Sequence, residues 1–173
     1  QDFHILNVEG IEWLQRHTLF GAPLGTPGAN KLIVRPIYAM SNNSETKFAD
    51  WVAYRLDSEC VSGDVKTQRQ WKADPALDDG ETLEPSDYKG AHATLNIDRG
   101  HQAPLASFKG TKWWYQTNYL SNITPQCSDL NQGPWKLLED AVRELARKQV
   151  VYVITGPLFE REMPNMPEAD ENN

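Results

Sequence analysis

The feature that most limits the possible folds is a single long helical segment, at about residues 128–148, that runs directly into a short apolar strand. Apolar residues recur in the helix at i, i+3, i+7 and i+10, which predicts one narrow stripe facing a core. These residues are Trp135, Leu138, Val142 and Leu145. Ser128 or Asp129 can cap this helix, and Pro134 is tolerated in a first turn. The run Val150–Thr155 then predicts a buried strand.

The rest of the chain has the pattern of strands and loops. Lys31–Met40 is rich in β-branched and aromatic residues, residues 41–46 supply a turn, and Phe48–Leu56 resumes the pattern. This arrangement predicts a β-hairpin. His92–Ile97 predicts a short strand, and Tyr119–Ile123 predicts another. One long helix among such strands favours the α+β class with a central antiparallel sheet.

The length of 173 residues corresponds to about one domain. Residues 1–30 are rich in Gly and Pro and predict an irregular arm with one helical turn around Ile11–Gln15. The folded domain is expected over residues 31–159. Residues 160–173 are acidic and contain Pro, which is typical of a linker or a disordered tail. No stretch approaches the roughly 20 apolar residues of a membrane span, so we expect no membrane association.

The net charge of −7 does not exclude a nucleic-acid partner, because the acidity is concentrated in two regions. Residues 73–90 hold six acids and one lysine, and residues 157–173 hold five acids and one arginine. The remainder is mildly basic, which permits weak contact with phosphates. Cys60 and Cys127 lack metal-site spacing, and the sequence leaves open whether they form one bridge or none.

An acid, a guanidinium and an imidazole lie within four residues at Asp98–His101. Gly100 allows a turn that would aim His101 outward, and catalytic groups often lie where strands meet loops. An Asp98–Arg99 pair that stabilises a turn beside an exposed histidine is an equally good interpretation. The remaining histidines have no acidic or nucleophilic neighbours in sequence and are expected to be structural or exposed. They are His4, His17 and His92.

Three polar residues fall on one side of the predicted long helix. With Asn131 at zero, Glu139 lies at about 80° and Arg143 at about 120° on the helical wheel, beside the apolar stripe. Asn131 is an ordinary first-turn or capping residue, yet its side-chain oxygen also suits Mg²⁺, which takes few protein ligands. Glu139 and Arg143 are equally consistent with a simple i, i+4 ion pair.

Basic residues surround an aromatic one in the segment Lys66–Lys72, which contains Arg69 and Trp71. Such a segment suits contacts with phosphate, although a short basic run is also typical of a solvated loop. The sequence contains no Ser/His/Asp, Walker or Cys/His metal signature.

Taken together, three segments closely resemble the DNA/RNA non-specific endonucleases of the Serratia nuclease type. They are Asn96–Ala106, Asn118–Gln126 and Ser128–Trp135, and the resemblance extends from about Ile33 to Met163. It implies a ββα-metal site, also called a His-Me finger, in which two strands and a helix hold one divalent ion and a histidine base. The long helix is then expected to carry the metal ligand.

The resemblance assigns roles to the residues that match the family motifs. His101 matches the general base, and Asn131 matches the single direct protein ligand of Mg²⁺, for which Mn²⁺ or another divalent ion can substitute. Glu139 matches the carboxylate that orders metal-bound water. Arg69 matches an arginine that contacts the phosphate near the scissile bond.

Supporting roles follow for the other matched residues. Arg99 and Arg143 match basic residues that assist catalysis or substrate binding, and Asp98 completes the motif by supporting its neighbours. The implied reaction is Mg²⁺-dependent hydrolysis of DNA and RNA to products with 5′-phosphate ends. A catalytically silent nucleic-acid-binding module, or a hydrolase of other phosphodiesters, is the alternative. The family also implies a secreted enzyme, extracellular or periplasmic.

The sequence differs from the family at its C-terminal side. Members continue past the Gly156–Arg161 segment with further strands and a helix, whereas this chain stops at Asn173. We therefore expect a second polypeptide to supply the remaining part of the fold, with a truncated family member as the alternative. Without a second piece, Val150–Thr155 could lack a neighbouring strand.

Overall fold

The structure, a computed structural model, describes residues 7–160 and 164–168. The helices in these ranges are α1 (Val8–His17), α2 (Ser58–Val61), α3 (Ala91–Leu95), α4 (Ser128–Leu130) and α5 (Lys136–Ala146). The strands are β1 (Lys31–Val34), β2 (Ala39–Asn43), β3 (Phe48–Leu56), β4 (Ile97–His101), β5 (Ile123–Cys127) and β6 (Val151–Thr155). Short 3-10 turns occupy Leu105–Ser107, Trp114–Asn118 and Leu120–Asn122.

A four-stranded antiparallel sheet in the order β1-β2-β3-β6 forms the centre of the fold. The α+β class predicted from the sequence is therefore confirmed. The predicted hairpin is wrong in one respect, because the run from Lys31 to Met40 forms two strands instead of one. Pro36 lies at the break, where its fixed φ and missing N–H interrupt a strand. Arg35 N donates to Tyr38 O across the turn at 2.8 Å.

The strands β4 and β5 form a separate antiparallel ribbon, in which His101 pairs with Ile123. Two sequence predictions are wrong here. The segment predicted as the strand His92–Ile97 is mostly helix α3, which ends at Asn96 in the left-handed conformation (φ 54°). The strand begins only at Ile97, so the Asp98–His101 motif is the strand itself. Tyr119–Ile123 lies largely in a 3-10 turn, and the second strand follows it.

The predicted continuous helix over 128–148 is broken into two parts. A π-type turn at Asn131–Trp135 separates α4 from α5, and Gly133 has non-helical dihedrals (φ −107°, ψ −110°). Pro134 lies inside this turn, and its missing N–H removes a helical hydrogen bond, which explains the kink. Neither Ser128 nor Asp129 caps the segment, because Cys127 occupies the N-cap position without a side-chain cap.

The apolar stripe of the long helix is only partly covered. Val142 packs against the main core, but Leu138 is 53% exposed and Leu145 is 44% exposed. The prediction that the whole stripe faces a core is therefore wrong for the chain described. The reason is geometric, since α5 packs against α2 and β6 on one side only.

The N-terminal region is more ordered than the sequence predicts. Instead of an irregular arm with one helical turn, residues 8–17 form the ten-residue helix α1, whose N-cap Asn7 accepts a hydrogen bond from Gly10 N. Leu14 of this helix packs on the sheet against Trp51. In the predicted tail, Met166 packs against a small core that contains Leu120 and Ile123. The rest of that tail, at 161–163 and 169–173, lies outside the described residues, and the domain boundaries stay predictions.

The structure also answers the question about the cysteines. Cys60 is buried, Cys127 is exposed, and both are unpaired. In the described ranges, no helix has the length and apolarity needed to cross a membrane.

Gly100 has a different role from the one expected, because it lies within β4 and does not form a turn. A Cβ at this position would lie 2.5 Å from Oε1 and 2.6 Å from Cβ of Gln126 on the neighbouring strand. We predict that Gly100→Ala lowers the free energy of unfolding by about 1–3 kcal/mol through overpacking of the ribbon. Urea denaturation measures this change. Gly28→Ala is the matched control, since a Cβ there meets nothing within 4 Å; an equal loss in both variants would contradict the prediction.

Candidate active site

The end of strand β4 places His101 in a half-buried position. Its Nε2 lies 3.4 Å from Oδ1 of Asn118, a residue that is only 1% exposed. The other ring nitrogen, Nδ1, has no hydrogen-bond partner among the residues that the structure describes. Asn118 therefore orients the ring and leaves one nitrogen available. The sequence analysis does not identify Asn118, because its partner His101 lies seventeen residues away and no local sequence pattern indicates this contact.

Burial keeps the imidazole of His101 neutral. Loss of water around the ring, and to a smaller extent the positive charge of Arg69, lower the pKa of His101 to about 4, against the opposing effect of the hydrogen bond with Asn118. At pH 7 the ring is unprotonated and can accept a proton. This is the state that general-base chemistry requires.

Trp71 brings the basic loop and strand β4 together. Its ring lies 5.3 Å from the ring of His101, 5.2 Å from Cζ of Arg69 and 5.5 Å from Cζ of Arg99. Cation–π attraction of this kind is worth about 0.5–1 kcal/mol at exposed sites and more when water is excluded. Trp71 thus puts the segment Lys66–Lys72, which the sequence predicts to contact phosphate, next to the Asp98–His101 motif. The spacing of these residues in the sequence does not reveal this contact.

The two arginines at Trp71 differ in how they are held. Arg99 also packs over Tyr88 at 5.1 Å, and its Nη2 donates to Pro85 O at 3.0 Å. Arg69 is exposed, and within the described ranges its guanidinium makes no ion pair or hydrogen bond. Arg69 is therefore the arginine that is free to bind an incoming anion, whereas Arg99 is partly committed to the protein.

Asp98 is the hub of a hydrogen-bond network that reaches the start of the helical segment. Its carboxylate accepts from Asn131 Nδ2 at 3.0 Å and Gln132 Nε2 at 2.9 Å, and from Ser128 Oγ and His92 Nδ1, both at 2.9 Å. Burial opposes the charge, but these bonds outweigh it and lower the pKa of Asp98 to about 2.

This network overturns two sequence interpretations. Asp98 bonds with the helical segment and not with Arg99, so a simple Asp–Arg pair in a turn is wrong. His92 is exposed as expected, but it was also expected to have no acidic neighbour, and its Nδ1 lies 2.9 Å from Oδ1 of Asp98. His4 lies outside the described residues. His17 is structural as expected, since it is buried and its Nε2 lies 3.1 Å from Arg35 O.

Asn131 is oriented by Asp98, and its side chain does not act as an N-cap, since Leu130 precedes the turn that Asn131 begins. With its Nδ2 committed to the carboxylate, the side-chain Oδ1 points away from that bond and accepts no hydrogen bond within the part of the chain described. A ligand fixed in this way by an outer hydrogen bond is typical of metal sites. Asn131 can therefore offer one neutral oxygen to a cation.

Glu139 and Arg143 form the expected i, i+4 pair on α5, with Nη1 and Oε2 3.7 Å apart. Both side chains are mostly buried, at 20% and 11% exposure, as the helical wheel predicts. Burial raises the pKa of Glu139 in spite of Arg143. Arg143 also bonds with Asp140. No hydrogen bond or ion pair among the described residues joins this pair to Trp71 or its neighbours.

Known proteins are similar to this chain over most of its length. The model of the family described as DNA/RNA non-specific endonuclease matches residues 16–173. A nuclease of Serratia marcescens is 53% identical over 150 residues, which cover 85% of this chain and 55% of that protein. The chain belongs to the DNA/RNA non-specific endonuclease family.

Other members of the family match at lower identity. Mitochondrial endonuclease G of Homo sapiens is 36% identical over 141 residues, covering 80% of this chain and 46% of that protein. A crystal structure of the EndoG/EndoGI complex matches with a TM-score of 0.72 and 28% identity, over 84% of this chain and 59% of that chain. The fold expected for a non-specific endonuclease is thus confirmed, and the chain spans about half the length of the curated relatives it matches.

The oxygen donors of the candidate site suit a hard ion that keeps most of its water. Among the described residues, no group of three or more His, Cys, Asp or Glu side chains could hold a metal. The amide oxygen of Asn131 and the carboxylate of Glu139 are few ligands, and Mg²⁺ tolerates this number because it retains several waters. Asn131 and Glu139 therefore fit the magnesium ion that the family implies.

The charge on Arg69 provides a test of the site electrostatics. We predict that His101 titrates near pH 4 in the parent protein and that Arg69→Gln raises this pKa only part of the way toward 6.5, because burial is the larger cause. Histidine side-chain NMR over a pH series measures both values. Arg16→Gln, an exposed arginine elsewhere, serves as the control. A parent pKa near 6.5 would show that water reaches the ring.

Proposed function

We propose that this chain is the catalytic part of a Mg²⁺-dependent, sugar-non-specific endonuclease that hydrolyses phosphodiester bonds of DNA and RNA. The observation that carries the proposal is a neutral imidazole held beside an arginine without an ion-pair partner in the described structure, His101 and Arg69 on the ring of Trp71. A base and an anion-binding group on one platform suit attack by water on a phosphate.

In this proposal His101 is the general base. Its Nδ1 takes a proton from a water molecule, and the oxygen of that water attacks phosphorus. The bond from phosphorus to the 3′ oxygen breaks, leaving a 5′-phosphate and a 3′-hydroxyl, and the leaving oxygen receives a proton from solvent. The bond between Nε2 and Asn118 would hold the ring in place during the transfer.

The arginines bind and stabilise charge. Arg69 presents a planar, permanently charged fork that can hold two phosphate oxygens at once. Arg99, packed between Trp71 and Tyr88, adds positive potential behind it. Arg143 holds Glu139 and is too committed to carboxylates to be a principal substrate contact.

Asn131 would hold the divalent ion directly, and Glu139 would act through a water molecule. Held there, Mg²⁺, Mn²⁺ or another divalent ion would supply positive charge that stabilises the negative charge developing during cleavage. Asp98 fixes the amide of Asn131 in the required orientation. An amide ligand is neutral, so it leaves the charge of the ion undiminished for the substrate.

The groups proposed to contact substrate recognise phosphate and not base edges, which favours action on DNA and RNA alike. A silent binding module would have no need for a neutral base and an oriented amide oxygen on the same ribbon and helix. We also propose that the enzyme is secreted, as the family resemblance implies, although relatives named for mitochondria belong to the same family.

The reaction is tested by plasmid nicking and RNA hydrolysis with the full-length protein in Mg²⁺. We predict that His101→Ala lowers kcat by about 10²–10⁴-fold because general-base assistance is lost, while substrate affinity is kept. Chelation with EDTA is expected to abolish cleavage by the parent protein.

Arg16→Ala is the control for this assay, because it removes an exposed charge without touching the site. Cleavage by His101→Ala at the parent rate would overturn the mechanism. Hydrolysis of bis-p-nitrophenyl phosphate without cleavage of either nucleic acid would instead favour the hydrolase of other phosphodiesters.

We further propose that a second polypeptide segment covers one open face of the fold. Strand β6 pairs with β3 on one side only in the described structure, and Ile154 on it is 52% exposed. Leu137 and Leu138 of α5 are 67% and 53% exposed. Exposed apolar side chains on two elements in contact, beside the edge strand of a sheet, are features that proteins normally cover.

Native material isolated from the source organism tests this proposal. We predict that it contains polypeptide beyond the 19.6 kDa of this chain, either joined to it or as a separate fragment. Intact-mass measurement under native and denaturing conditions separates the two cases. Fully active native material with a mass of only 19.6 kDa would rule out the second segment.

A further inference from the structure

A cleft of about 270 Å³ lies beside the catalytic histidine and takes no part in the mechanism described above. Gln68 and Lys72 belong to one wall, which comes from the loop that carries Arg69. Trp114, Tyr115 and Tyr119 form the aromatic part of the lining. The cleft therefore combines flat apolar surfaces with hydrogen-bonding groups and one cation.

Backbone hydrogen bonds fix the two walls relative to each other. Lys72 N donates to Asn118 O at 3.3 Å, and Leu120 N donates to Lys72 O at 2.9 Å. These bonds hold the loop against the end of the 3-10 turn at Trp114–Asn118. The walls are thus preformed, which reduces the cost of ordering them when a ligand binds.

The aromatic wall is rigid but accessible. The ring of Tyr115 packs edge-on against Trp114 and Tyr119, with centroids 6.5 Å and 6.3 Å apart, and it is still 45% exposed. Arg35 stacks on Tyr119 at 4.6 Å. An exposed tyrosine supported on both sides offers a planar surface to a ligand, and it does not contribute to the buried core.

Asn118 connects the cleft to the catalytic centre. It lines the cleft, and its Oδ1 lies 3.4 Å from Nε2 of His101. Its Nδ2 is buried and has no acceptor among the described residues. Arg69 lies between Gln68 and Gln70, which both line the cleft. A phosphate held by Arg69 beside His101 would therefore bring a neighbouring nucleotide to this cleft.

The charge of the cleft also matches nucleic acid. No carboxylate is present among its described lining residues, although the chain as a whole is acidic. Lys72 makes no ion pair within the described ranges, so its ammonium group is available to a phosphate. An uncharged aromatic ligand would contact the aromatic rings but would make no ion pair with Lys72. A ligand with both a flat ring and a phosphate therefore matches the cleft better.

We propose that this cleft is a nucleobase subsite, in which Tyr115 stacks on the base next to the scissile phosphate and Lys72 contacts the phosphate of that nucleotide. The inference rests on the proposed endonuclease function and adds a place for the base to it. Every base has a flat face, so stacking adds affinity without selecting a sequence or a sugar. The subsite would also favour unpaired bases, which can leave the helical stack.

The test removes the base and the aromatic ring separately. Three single-stranded oligonucleotides of the same sequence are compared, and cleavage is monitored at one phosphate. One is intact, one is abasic on the 5′ side of that phosphate, and one is abasic on its 3′ side. The full-length protein is used in Mg²⁺, as parent, Tyr115→Ala, Tyr115→Phe and the control Phe20→Ala, an aromatic residue that is 84% exposed and lies outside the cleft. KM and kcat are measured for each pair.

For the parent, we expect loss of the base on one side to raise KM about tenfold, within the range of base–aromatic stacking. Tyr115→Ala is expected to raise KM about tenfold on the intact oligonucleotide. On the abasic oligonucleotide for which the parent shows the raised KM, the same variant is expected to raise KM less than about twofold. Its kcat is expected to stay within about twofold of the parent. Tyr115→Phe and Phe20→Ala are expected to behave like the parent.

A KM for Tyr115→Ala that matches the parent, or that rises equally on intact and abasic substrates, would overturn the subsite. Failure of the parent to cut any oligonucleotide would count against the proposed function and not against the subsite. The subsite is then tested by fluorescence anisotropy in EDTA, where the same tenfold, base-dependent loss of affinity in Tyr115→Ala is expected. Equal binding by parent and variant would overturn it there as well.

Discussion

The interaction on which the site depends is the set of hydrogen bonds to the carboxylate of Asp98. This one side chain joins strand β4 to the start of the helical segment, because it accepts bonds from Ser128, Asn131 and Gln132. The strand carries His101 and the helical segment carries the proposed metal ligand. Without the carboxylate, these two parts would be related only by the ribbon and a kinked turn. The low pKa of Asp98 keeps the connection charged over the whole neutral range.

Burial shifts the pKa values of two groups of the site in opposite directions. It lowers the pKa of His101, which keeps the proposed base free of its proton, and it raises the pKa of Glu139 against the opposing effect of Arg143. Arg69, in contrast, is exposed. The candidate site therefore places a half-buried imidazole and an exposed arginine against one tryptophan ring.

The sequence predicted the features that depend on local residue patterns. It did not predict the features that depend on contacts between segments far apart in the chain. The strands β3 and β6 follow from β-branched and aromatic runs, and the inward position of Glu139 and Arg143 follows from helical spacing. The kink at Gly133 was missed because periodicity continues across it. Asn118 and the His92–Asp98 contact could not be predicted, because each depends on how the ribbon folds back on a turn. The roles of His101 and Asn131 came from the family motifs and not from spacing.

The arrangement of the core explains how an open face can coexist with an assembled site. Every residue assigned to the proposed reaction lies on the ribbon, the Arg69 loop or the adjoining helical segment, and their hydrogen bonds are made within the described chain. Ile154, Leu137 and Leu138, the exposed apolar residues of the proposed open face, lie on β6 and α5 and are not assigned to the reaction. A segment that covers them would stabilise α5, the helix that also carries Glu139. Its removal should therefore act on the site through the position of α5, and the base and Arg69 would be affected least.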